Sequence, residues 1–461
     1  MKKISGYFKL VERKTNVKTE FLAGLTTFLA MAYVLGANPM ILGDAGMSVR
    51  AVFTATAIAA IVGTLIMGLA ANYPVALAPG MGMNAFFAYS IASASGYGFG
   101  WKLALSAVFI SGIVMIIISL SGIREKVINA IPKNLKYAVG AGIGLFITFV
   151  GLQSSKIVVS DIGTLVKLGD LSNPGVILTI IGLVITVILY VLRVPAAIFI
   201  GMVFTAVIGV IWTIVLKSTG QTELLASLQG ILPQVPDGIV SWPKAPAFGA
   251  FVEGFTEGSW NDFSFILTFI VVVFSLIFVD FFDTAGTLVT VGSSCGLINE
   301  QGELEDSGKA IFADSAATVA GAIVGTSSTT SYVESLSGIE VGGRTGLTSV
   351  FTALFFVLAL FLSPLLSVIT APVTAPALVF VGILMASHLS KIEWNKIEVA
   401  IPAFLTIIIM PLAYSISEGI AVGFIFYPIA MLAAKRGKEV SKVMYILSFL
   451  FILYFIVDAI M

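Results

Sequence analysis

A cluster of side chains able to bind a polar ligand lies in GTSSTTSYVESLSGIE, residues 325–340, where six serine and threonine hydroxyls precede Glu334. Two further acids, Asp280 and Asp283, stand three positions apart in FVDFFDTAGTLVTVGSS, a spacing that puts them on about the same face of a helix. Carboxylates and hydroxyls together can hydrogen-bond a polar ligand and can hold a proton or a cation.

These polar segments interrupt a very apolar chain. Hydrophobic residues make up 58% of the 461 positions and charged residues only 11%, whereas soluble domains carry roughly 25% charged residues. Runs of about 20 apolar residues, long enough to cross ~30 Å of hydrocarbon as a helix, recur at 21–42, 51–71, 102–121, 138–153, 175–192, 195–216, 264–279, 347–368, 373–387, 397–416, 418–434 and 443–460. The sequence therefore predicts an all-α polytopic membrane protein, in which acids inside the membrane mark substrate or proton paths.

The charge balance and the cysteine content exclude several kinds of site. The 25 lysines and arginines balance 25 aspartates and glutamates, so nothing points to nucleic acid as a partner. Cys295 is the single cysteine, which excludes a disulfide within the chain and a cysteine metal cluster. The basic segment 1–20 leads into the first apolar run without a cleavage site, and we expect it to be a cytoplasmic segment.

Lysine and arginine positions predict the orientation of the spans, because cytoplasmic loops are enriched in these residues. The stretch 217–263 is long and poor in both, and it is the predicted external linker. With seven spans before this linker and seven up to residue 434, the basic clusters all fall inside: the N-terminal segment, 124–137, Arg193, Arg344, 391–396 and 435–442. The last run, 443–460, is left unplaced, since it could cross again or lie along the surface.

The two halves on either side of the linker resemble each other. Because each half has an odd number of spans, the halves insert with opposite orientation, and inverted repeats of this kind are typical of secondary transporters. The matched stretches, in the same order in both halves, are 53–63 with 312–321, 135–157 with 374–392, and 194–204 with 417–427.

One segment in each half is too polar or too broken to be a plain span: YPVALAPGMGMNAFFAYS at 73–90 and the hydroxyl-rich segment at 325–340. Proline removes a backbone donor and glycine loosens a helix, and non-helical backbone at membrane depth survives only where protein or a water-filled cavity satisfies it. We expect extended pieces near 76–80 and 329–332, each followed by a half-helix whose N-terminal amides point toward a ligand. The hydroxyls around Glu334 are expected to line a polar cavity.

Three motifs carry a resemblance to a known family: APGMGMNAFF, FFDTAGTLVT and GTSSTTSYVES, in this order. Over nearly its whole length the chain resembles the AzgA-like purine permeases of the nucleobase–ascorbate, or nucleobase–cation symporter, group. The resemblance implies fourteen segments in two inverted seven-segment repeats, with short strands in segments 3 and 10. It also implies a homodimer through gate helices, and two domains: a core (segments 1–4, 21–121, and 8–11, 264–368) and a gate (segments 5–7, 132–216, and 12–14, 369–434).

The same resemblance assigns site residues by position. Asp283 takes the place of a Glu in the E-x-x-G pattern of the uracil members, and Glu334 takes the place of the Glu in their Y-G-E pattern. Val333 replaces the Gly of Y-G-E, which changes the shape of the pocket, and Asn84 matches an Asn of the AzgA-like members. Thr287 falls where the uracil members carry a His, so we expect no histidine proton relay there.

The chemistry of these residues suits a purine base, which is planar, uncharged at neutral pH and edged with N–H donors and acceptors. Glu334 can accept two N–H bonds side by side, from N1–H and the exocyclic amine of guanine, and Asn84 offers a donor and an acceptor together. Candidates to stack on the ring are Phe86, Phe87, Phe281, Phe282 and Tyr332. The predicted substrate site comprises Gly80, Met83, Asn84, Phe282, Asp283, Thr287, Thr330, Ser331, Tyr332, Val333 and Glu334.

Accumulation of a substrate needs a coupling ion. A low-dielectric cavity favours the protonated form of a carboxyl group, so we expect Asp283 or Glu334, with Asp280 as a third candidate, to carry a proton together with the base. Sodium is the alternative ion, since hydroxyls and backbone carbonyls also bind it. The ordinary alternative for each acid is a structural carboxylate held by neighbouring amides or hydroxyls, and Asp314 is as well explained in that way.

Other functions fit the pattern less well. A channel would also be polytopic, but paired broken helices in inverted halves favour alternating access. An enzyme is disfavoured because the sequence has no metal-ligand cluster and no G-x-S-x-G, its single histidine, His388, lies at a predicted helix end, and GAGIG at 140–144 is typical of helix packing rather than of a phosphate loop. Alternative substrates are uracil, xanthine or an anion. The prediction is a multi-pass purine–proton symporter of the cell membrane with a cytoplasmic N terminus and no metal or cofactor.

Overall fold

The computed structural model describes residues 2–121, 132–194, 196–221, 228, 231–236, 238–297 and 305–460. Apolar helices dominate this part of the chain, and nine of the helices described are long and apolar enough to cross a membrane. Most of the basic stretch 124–137 and residue Pro195 of the matched stretch 194–204 lie outside the described residues.

The first half of the chain forms segments 1–7, preceded by a short helix, α1 (Lys2–Tyr7). Segment 1 is broken into α2 (Val17–Met31) and α3 (Val34–Asp44), and segment 3 begins with a strand, β1 (Leu77–Pro79), before α5 (Met81–Ala85) and its extension Phe86–Ala92. A hairpin of β2 (Val158–Asp161) and β3 (Leu165–Leu168) joins segments 5 and 6. The other segments are α4 (Val49–Ile66, extended by Met67–Ala71), α6 (Gly100–Ser121), α7 (Lys133–Ser154), α8 (Pro174–Val191) and α9 (Ala197–Ser218).

The second half repeats this order after a short helix in the linker, α10 (Ala250–Glu257). Segment 10 is again broken, into β4 (Thr329–Ser331), a turn of 3₁₀-helix (Val333–Ser335) and α13 (Leu336–Glu340). The others are α11 (Phe263–Cys295), α12 (Ser307–Val324), α14 (Gly346–Ala359, extended by Leu360–Val368), α15 (Ala371–Met385, extended by Ala386–Lys391), α16 (Ile397–Leu412) and α17 (Ile416–Ala433). The predicted fold of two inverted seven-segment repeats is therefore confirmed.

Segment 8 differs from the apolar run 264–279 expected from the sequence. Helix α11 continues without interruption for 33 residues, which at 1.5 Å per residue is about 50 Å. It therefore carries both Asp280 and Asp283 inside a regular helix. The reason is that an α-helix satisfies its own backbone, so acids in its sequence do not end it when their side chains find polar surroundings.

The two broken segments meet through their strands. β1 and β4 pair antiparallel, with Leu77 opposite Ser331 and Pro79 opposite Thr329. The pairing extends on both sides, because the amide of Gly80 donates to the carbonyl of Ser328 and the amide of Tyr332 donates to the carbonyl of Ala76, each at 3.0 Å. The extended pieces predicted near 76–80 and 329–332 are thus confirmed, and each strand satisfies the backbone that the other leaves without a helical partner.

Two groups of segments pack mainly among themselves. In one group, α12 packs on α4 and α6, and in the other α7 packs on α15 and α16. Glycines allow these close approaches: a Cβ added at Gly63 would lie 2.7 Å from the Cβ of Ala317, and one added at Gly382 would lie 1.9 Å from Oγ1 of Thr148. The assignment of all segments to a core and a gate domain, and a division into two moving bodies, stay predictions.

The last apolar run, which the sequence leaves unplaced, is a helix, α18 (Lys442–Ile460). At its start Tyr445 donates a hydrogen bond to the carbonyl of Gly437, which follows segment 14. Further along, the hydroxyl of Tyr454 lies 3.2 Å from that of Tyr97, in the loop after segment 3. Helix α18 therefore runs from near the end of segment 14 toward the loop after segment 3.

Candidate functional site

Glu334, Asp283 and Val333 lie together where the start of segment 10 faces α11. All three side chains are at least partly exposed: Val333 is 39% exposed, Asp283 is exposed and Glu334 is partly exposed. Asp283 and Glu334 are also close enough for their charges to interact. Three of the predicted site residues, from two distant parts of the chain, thus form one accessible surface with two acids.

Tyr33 lies buried behind this surface, and its sequence context does not mark it as a site residue. Its hydroxyl donates a hydrogen bond to Oε1 of Glu334 at 2.7 Å, and its side chain is 1% exposed. Tyr33 lies at the break between α2 and α3, where segment 1 passes the start of segment 10. A tyrosine within the apolar run 21–42 was the available signal, because a buried tyrosine hydroxyl needs a partner.

The two acids of α11 have different surroundings. Asp280 is 2% exposed, and its Oδ2 accepts a hydrogen bond from the Thr318 hydroxyl at 3.1 Å. Asp314, on α12, is fully buried, and its Oδ1 accepts a hydrogen bond from the Ser331 hydroxyl at 2.9 Å. Asp280 and Asp314 therefore face the interior between α11, α12 and β4, whereas Asp283 faces solvent.

The hydroxyls of residues 326–331 were expected to line a polar cavity, but the structure places them in the interior of the bundle. Residues 326–331 are each at most 2% exposed, so they do not line an open cavity. Most of their hydroxyls bind neighbouring segments: that of Thr330 lies 2.8 Å from the hydroxyl of Thr284 on α11, and that of Ser328 lies 3.0 Å from the hydroxyl of Thr318 on α12. The physical reason is that a short strand inside an apolar bundle must satisfy its polar atoms locally.

Asn84 is fully buried and holds the two broken segments together. Its amide nitrogen donates to the carbonyl of Pro79 at 3.3 Å, and its amide oxygen accepts a hydrogen bond from the Ser327 hydroxyl. The Tyr332 hydroxyl donates to the same Pro79 carbonyl at 2.5 Å. In this conformation Asn84 and Tyr332 therefore face the junction of segments 3 and 10, not the solvent-accessible surface.

The other predicted site residues lie around this junction. Gly80 is adjacent to β4, since a Cβ added there would be 2.6 Å from the Cγ2 of Thr330. Met83 is 1% exposed and Thr287 is 6% exposed. Among the stacking candidates, Phe86, Phe87 and Phe281 are buried, and the side chain of Phe282 lies outside the described part. Their assignment to substrate binding stays a prediction.

Glu20, a buried acid near the start of the chain, is not among the site residues predicted from the sequence. Glu20 is fully buried and accepts hydrogen bonds from the Arg344 amide at 3.0 Å and the Thr345 hydroxyl at 2.8 Å. It also accepts from the amide and hydroxyl of Thr348, at 3.0 and 2.6 Å. Glu20 therefore binds the N-terminus of α14, where donors are free and a negative charge is favourable.

Segment 3 contacts the other group of segments on the side away from the N terminus. The Ser90 hydroxyl donates to the carbonyl of Tyr414 at 3.2 Å, and the rings of Tyr89 and Tyr414 lie 5.9 Å apart. The Tyr89 hydroxyl also donates to Asp44 at 2.8 Å. These contacts join the two groups at the loop between segments 13 and 14.

Comparison with known proteins identifies relatives of this chain. Residues 18–422 match a family model described as Permease family. The chain is similar to the guanine/hypoxanthine permease PbuG of Bacillus subtilis, with 49% identity over 98% of this chain and 99% of that protein. It is also similar to the adenine permease AdeQ of Escherichia coli, with 38% identity over 98% of this chain and 95% of that protein.

Two solved structures are similar in fold. The transmembrane domain of a cyanobacterium bicarbonate transporter, BicA, matches with a TM-score of 0.56 and 17% identity, covering 91% of this chain and 97% of that domain. The structure of SLC26A9 matches with a TM-score of 0.59 and 12% identity, covering 94% of this chain and 68% of that one. At these identities the likeness concerns the fold alone.

Proposed function

This chain belongs to the Permease family, and we propose that it imports purine nucleobases by proton symport with alternating access. The observation that carries the proposal is the exposed surface formed by Glu334, Asp283 and Val333 where the broken start of segment 10 faces α11, next to the strand pair that joins the two broken segments. Sites at such a meeting point are typical of secondary transporters. The names of the relatives support the substrate class, since they are permeases for guanine, hypoxanthine and adenine.

The side chains at this surface suit a neutral base with N–H donors. Glu334 has lone pairs free on both oxygens besides the one that Tyr33 occupies, and the partly exposed Val333 offers an apolar contact next to it. Glu334 and Asp283 would repel an anion, because no basic side chain is among the residues named for this surface. The similarity in fold to a bicarbonate transporter therefore does not extend to its substrate.

Asp283 and Glu334 also support the choice of a proton as the coupling ion. Two neighbouring carboxylates repel each other when both are ionised, so uptake of one proton stabilises the site. Asp283 is exposed and can exchange that proton with water. Sodium is less well supported, because the hydroxyls of residues 326–331 are buried, and those of Ser328 and Thr330 are already bonded to Thr318 and Thr284.

We further propose that the protein lies in the cell membrane with its N terminus in the cytoplasm. The basic residues Arg13 and Arg344 support this orientation, because both lie at the same end of the bundle, where Arg13 donates to the carbonyl of Arg344 at 3.1 Å. The exposed apolar faces of α8 and α9 suit lipid or a second copy in a homodimer; they include Ile180, Val184, Ile188, Val203, Phe204 and Ile211.

Uptake of radiolabelled hypoxanthine by cells that lack their own purine permeases would test the function. Unlabelled guanine, hypoxanthine and adenine should compete, whereas uracil should not, and an uncoupler should abolish accumulation while removal of sodium should not. The inactive control is the Asp283→Asn, Glu334→Gln double variant. Competition by uracil or xanthine alone would indicate the alternative substrates, a sodium requirement the alternative ion, and non-saturating flux a channel.

A further inference from the structure

We propose that Tyr33 is a positioning residue for Glu334, and that its hydroxyl determines how well the site distinguishes guanine from hypoxanthine. The inference depends on the proposed function, because it assigns to Tyr33 a role in purine recognition. It starts from the contact between the two side chains, which belong to residues 301 positions apart in the sequence.

Hydrogen bonds fix the backbone of both Tyr33 and Glu334. The carbonyl of Tyr33 accepts hydrogen bonds from the amides of Gly36 and Ala37, at 3.0 and 2.9 Å, which fix the backbone at the break between α2 and α3. The Tyr33 ring is 1% exposed, so its packing leaves little freedom of rotation. On the other side, the Ser337 hydroxyl donates to the carbonyl of Glu334 at 2.6 Å and fixes the start of segment 10.

Because both backbones are fixed, the hydroxyl of Tyr33 selects the orientation of the carboxylate plane. Glu334 is partly exposed and would otherwise rotate about its own side-chain bonds. A carboxylate oxygen has two lone-pair sites, so Oε1 can accept from Tyr33 at 2.7 Å and still accept from a ligand. Tyr33 thus holds the carboxylate without blocking it.

An oriented carboxylate matters more for one purine than for the other. Guanine presents two adjacent donors, N1–H and the exocyclic amine, and both bonds form only when the carboxylate lies in the plane of the base. Hypoxanthine presents N1–H without the amine, and a single hydrogen bond tolerates rotation of its acceptor. Loss of the Tyr33 hydroxyl should therefore weaken guanine binding more than hypoxanthine binding.

The test is equilibrium binding of radiolabelled guanine and hypoxanthine to the purified full-length protein in lipid nanodiscs. Tyr33→Phe removes one oxygen atom and leaves the ring in place. We expect it to raise the Kd for guanine about tenfold and the Kd for hypoxanthine less than about threefold. In a Glu334→Gln background the same change should have little further effect, since residues that act through one another are not additive.

Tyr73→Phe is the matched control, because it removes a tyrosine hydroxyl that is likewise buried but donates to the carbonyl of Glu305, away from the acids. It should leave both Kd values unchanged. Size-exclusion profiles and melting temperatures check that each variant is folded, and competition by the two bases for uptake in cells measures the same discrimination without purification.

Four results would overturn the inference. Equal weakening of both bases by Tyr33→Phe, or full additivity with Glu334→Gln, would mean that the hydroxyl only supports the fold. Unchanged Kd values for both bases would mean that another group orients the carboxylate. If the wild-type protein bound neither base, the proposed function itself would be wrong, and that outcome is distinguished from the others by the wild-type measurement.

Discussion

Asp280 and Asp283 lie one helical turn apart on α11 but have different surroundings. Asp280 is 2% exposed and accepts a hydrogen bond from Thr318 at 3.1 Å, whereas Asp283 is exposed and close enough to Glu334 for their charges to interact. A buried, hydrogen-bonded carboxylate suits a structural role, and an accessible carboxylate suits exchange of a proton with water. We therefore expect substitutions at the two positions to differ in their consequences.

Asp283→Asn should retain measurable purine binding but lose accumulation against a gradient and most of the pH dependence of uptake. The reason is that asparagine keeps the shape of the side chain but does not take up a proton. Equilibrium binding and uphill uptake, each measured at several pH values, check this. Asp280→Asn is the matched variant and should mainly lower the melting temperature. Normal accumulation by Asp283→Asn would assign proton coupling to another residue.

Glu334→Gln should weaken purine binding about tenfold or more, which corresponds to about 1.4 kcal/mol or more. Glutamine replaces one acceptor oxygen with a donor, which opposes the N–H groups of the base. The measurement is the Kd of the purified protein at a fixed pH. Should this variant bind normally and fail only in accumulation, the roles assigned to Glu334 and Asp283 are reversed.

Asn84→Ala should weaken purine uptake while the protein remains folded and in the membrane. The amide of Asn84 binds the Ser327 hydroxyl and the Pro79 carbonyl, so its loss loosens the junction from which Glu334 extends. Uptake kinetics and the amount of protein in the membrane are measured together. Ser327→Ala should act in the same direction, and unchanged kinetics for both variants would restrict Asn84 to packing.

Gly80→Val should abolish uptake and lower the melting temperature. A Cβ at this position would lie 2.6 Å from the Cγ2 of Thr330, and a branched side chain would push β1 away from β4. Gly308→Ala is the control, because a Cβ there meets nothing within 4 Å. An active Gly80→Val variant would mean that the strand pair adapts without loss of the site.

Glu20→Gln should destabilise the protein without a direct effect on binding of the purine base. Hydrogen bonds to a charged group contribute about 1.5–3 kcal/mol each in favourable cases, and glutamine would present a donor to the donors of Thr345 and Thr348. Thermal melting in detergent measures the loss, with the exposed Glu340→Gln as control. Equal melting temperatures for the two variants would contradict a role of Glu20 in holding the start of α14.

Much of the fold was determined by local features of the sequence. Apolar runs of membrane length predict spanning helices, and proline and glycine at 73–90 and hydroxyls at 325–340 predict the two breaks. These signals are reliable in lipid because each backbone group must be satisfied close to where it occurs. The acids Glu334 and Asp283 could be selected in the same way, since a carboxylate in an apolar chain is costly without a reason to be there.

Tertiary structure alone decided which way these polar side chains face. Spacing places Asp280 and Asp283 on one face, but the position of Thr318 on the next segment separates their surroundings. The sequence suggested that the hydroxyls of residues 326–331 line a cavity, but they lie buried in the interior. Tyr33 stands in an apolar run, yet its hydroxyl binds Glu334. The physical reason is that composition and spacing describe what a segment needs, whereas its hydrogen-bond partners lie on other segments, some of them hundreds of residues away, which only the packed bundle brings into contact.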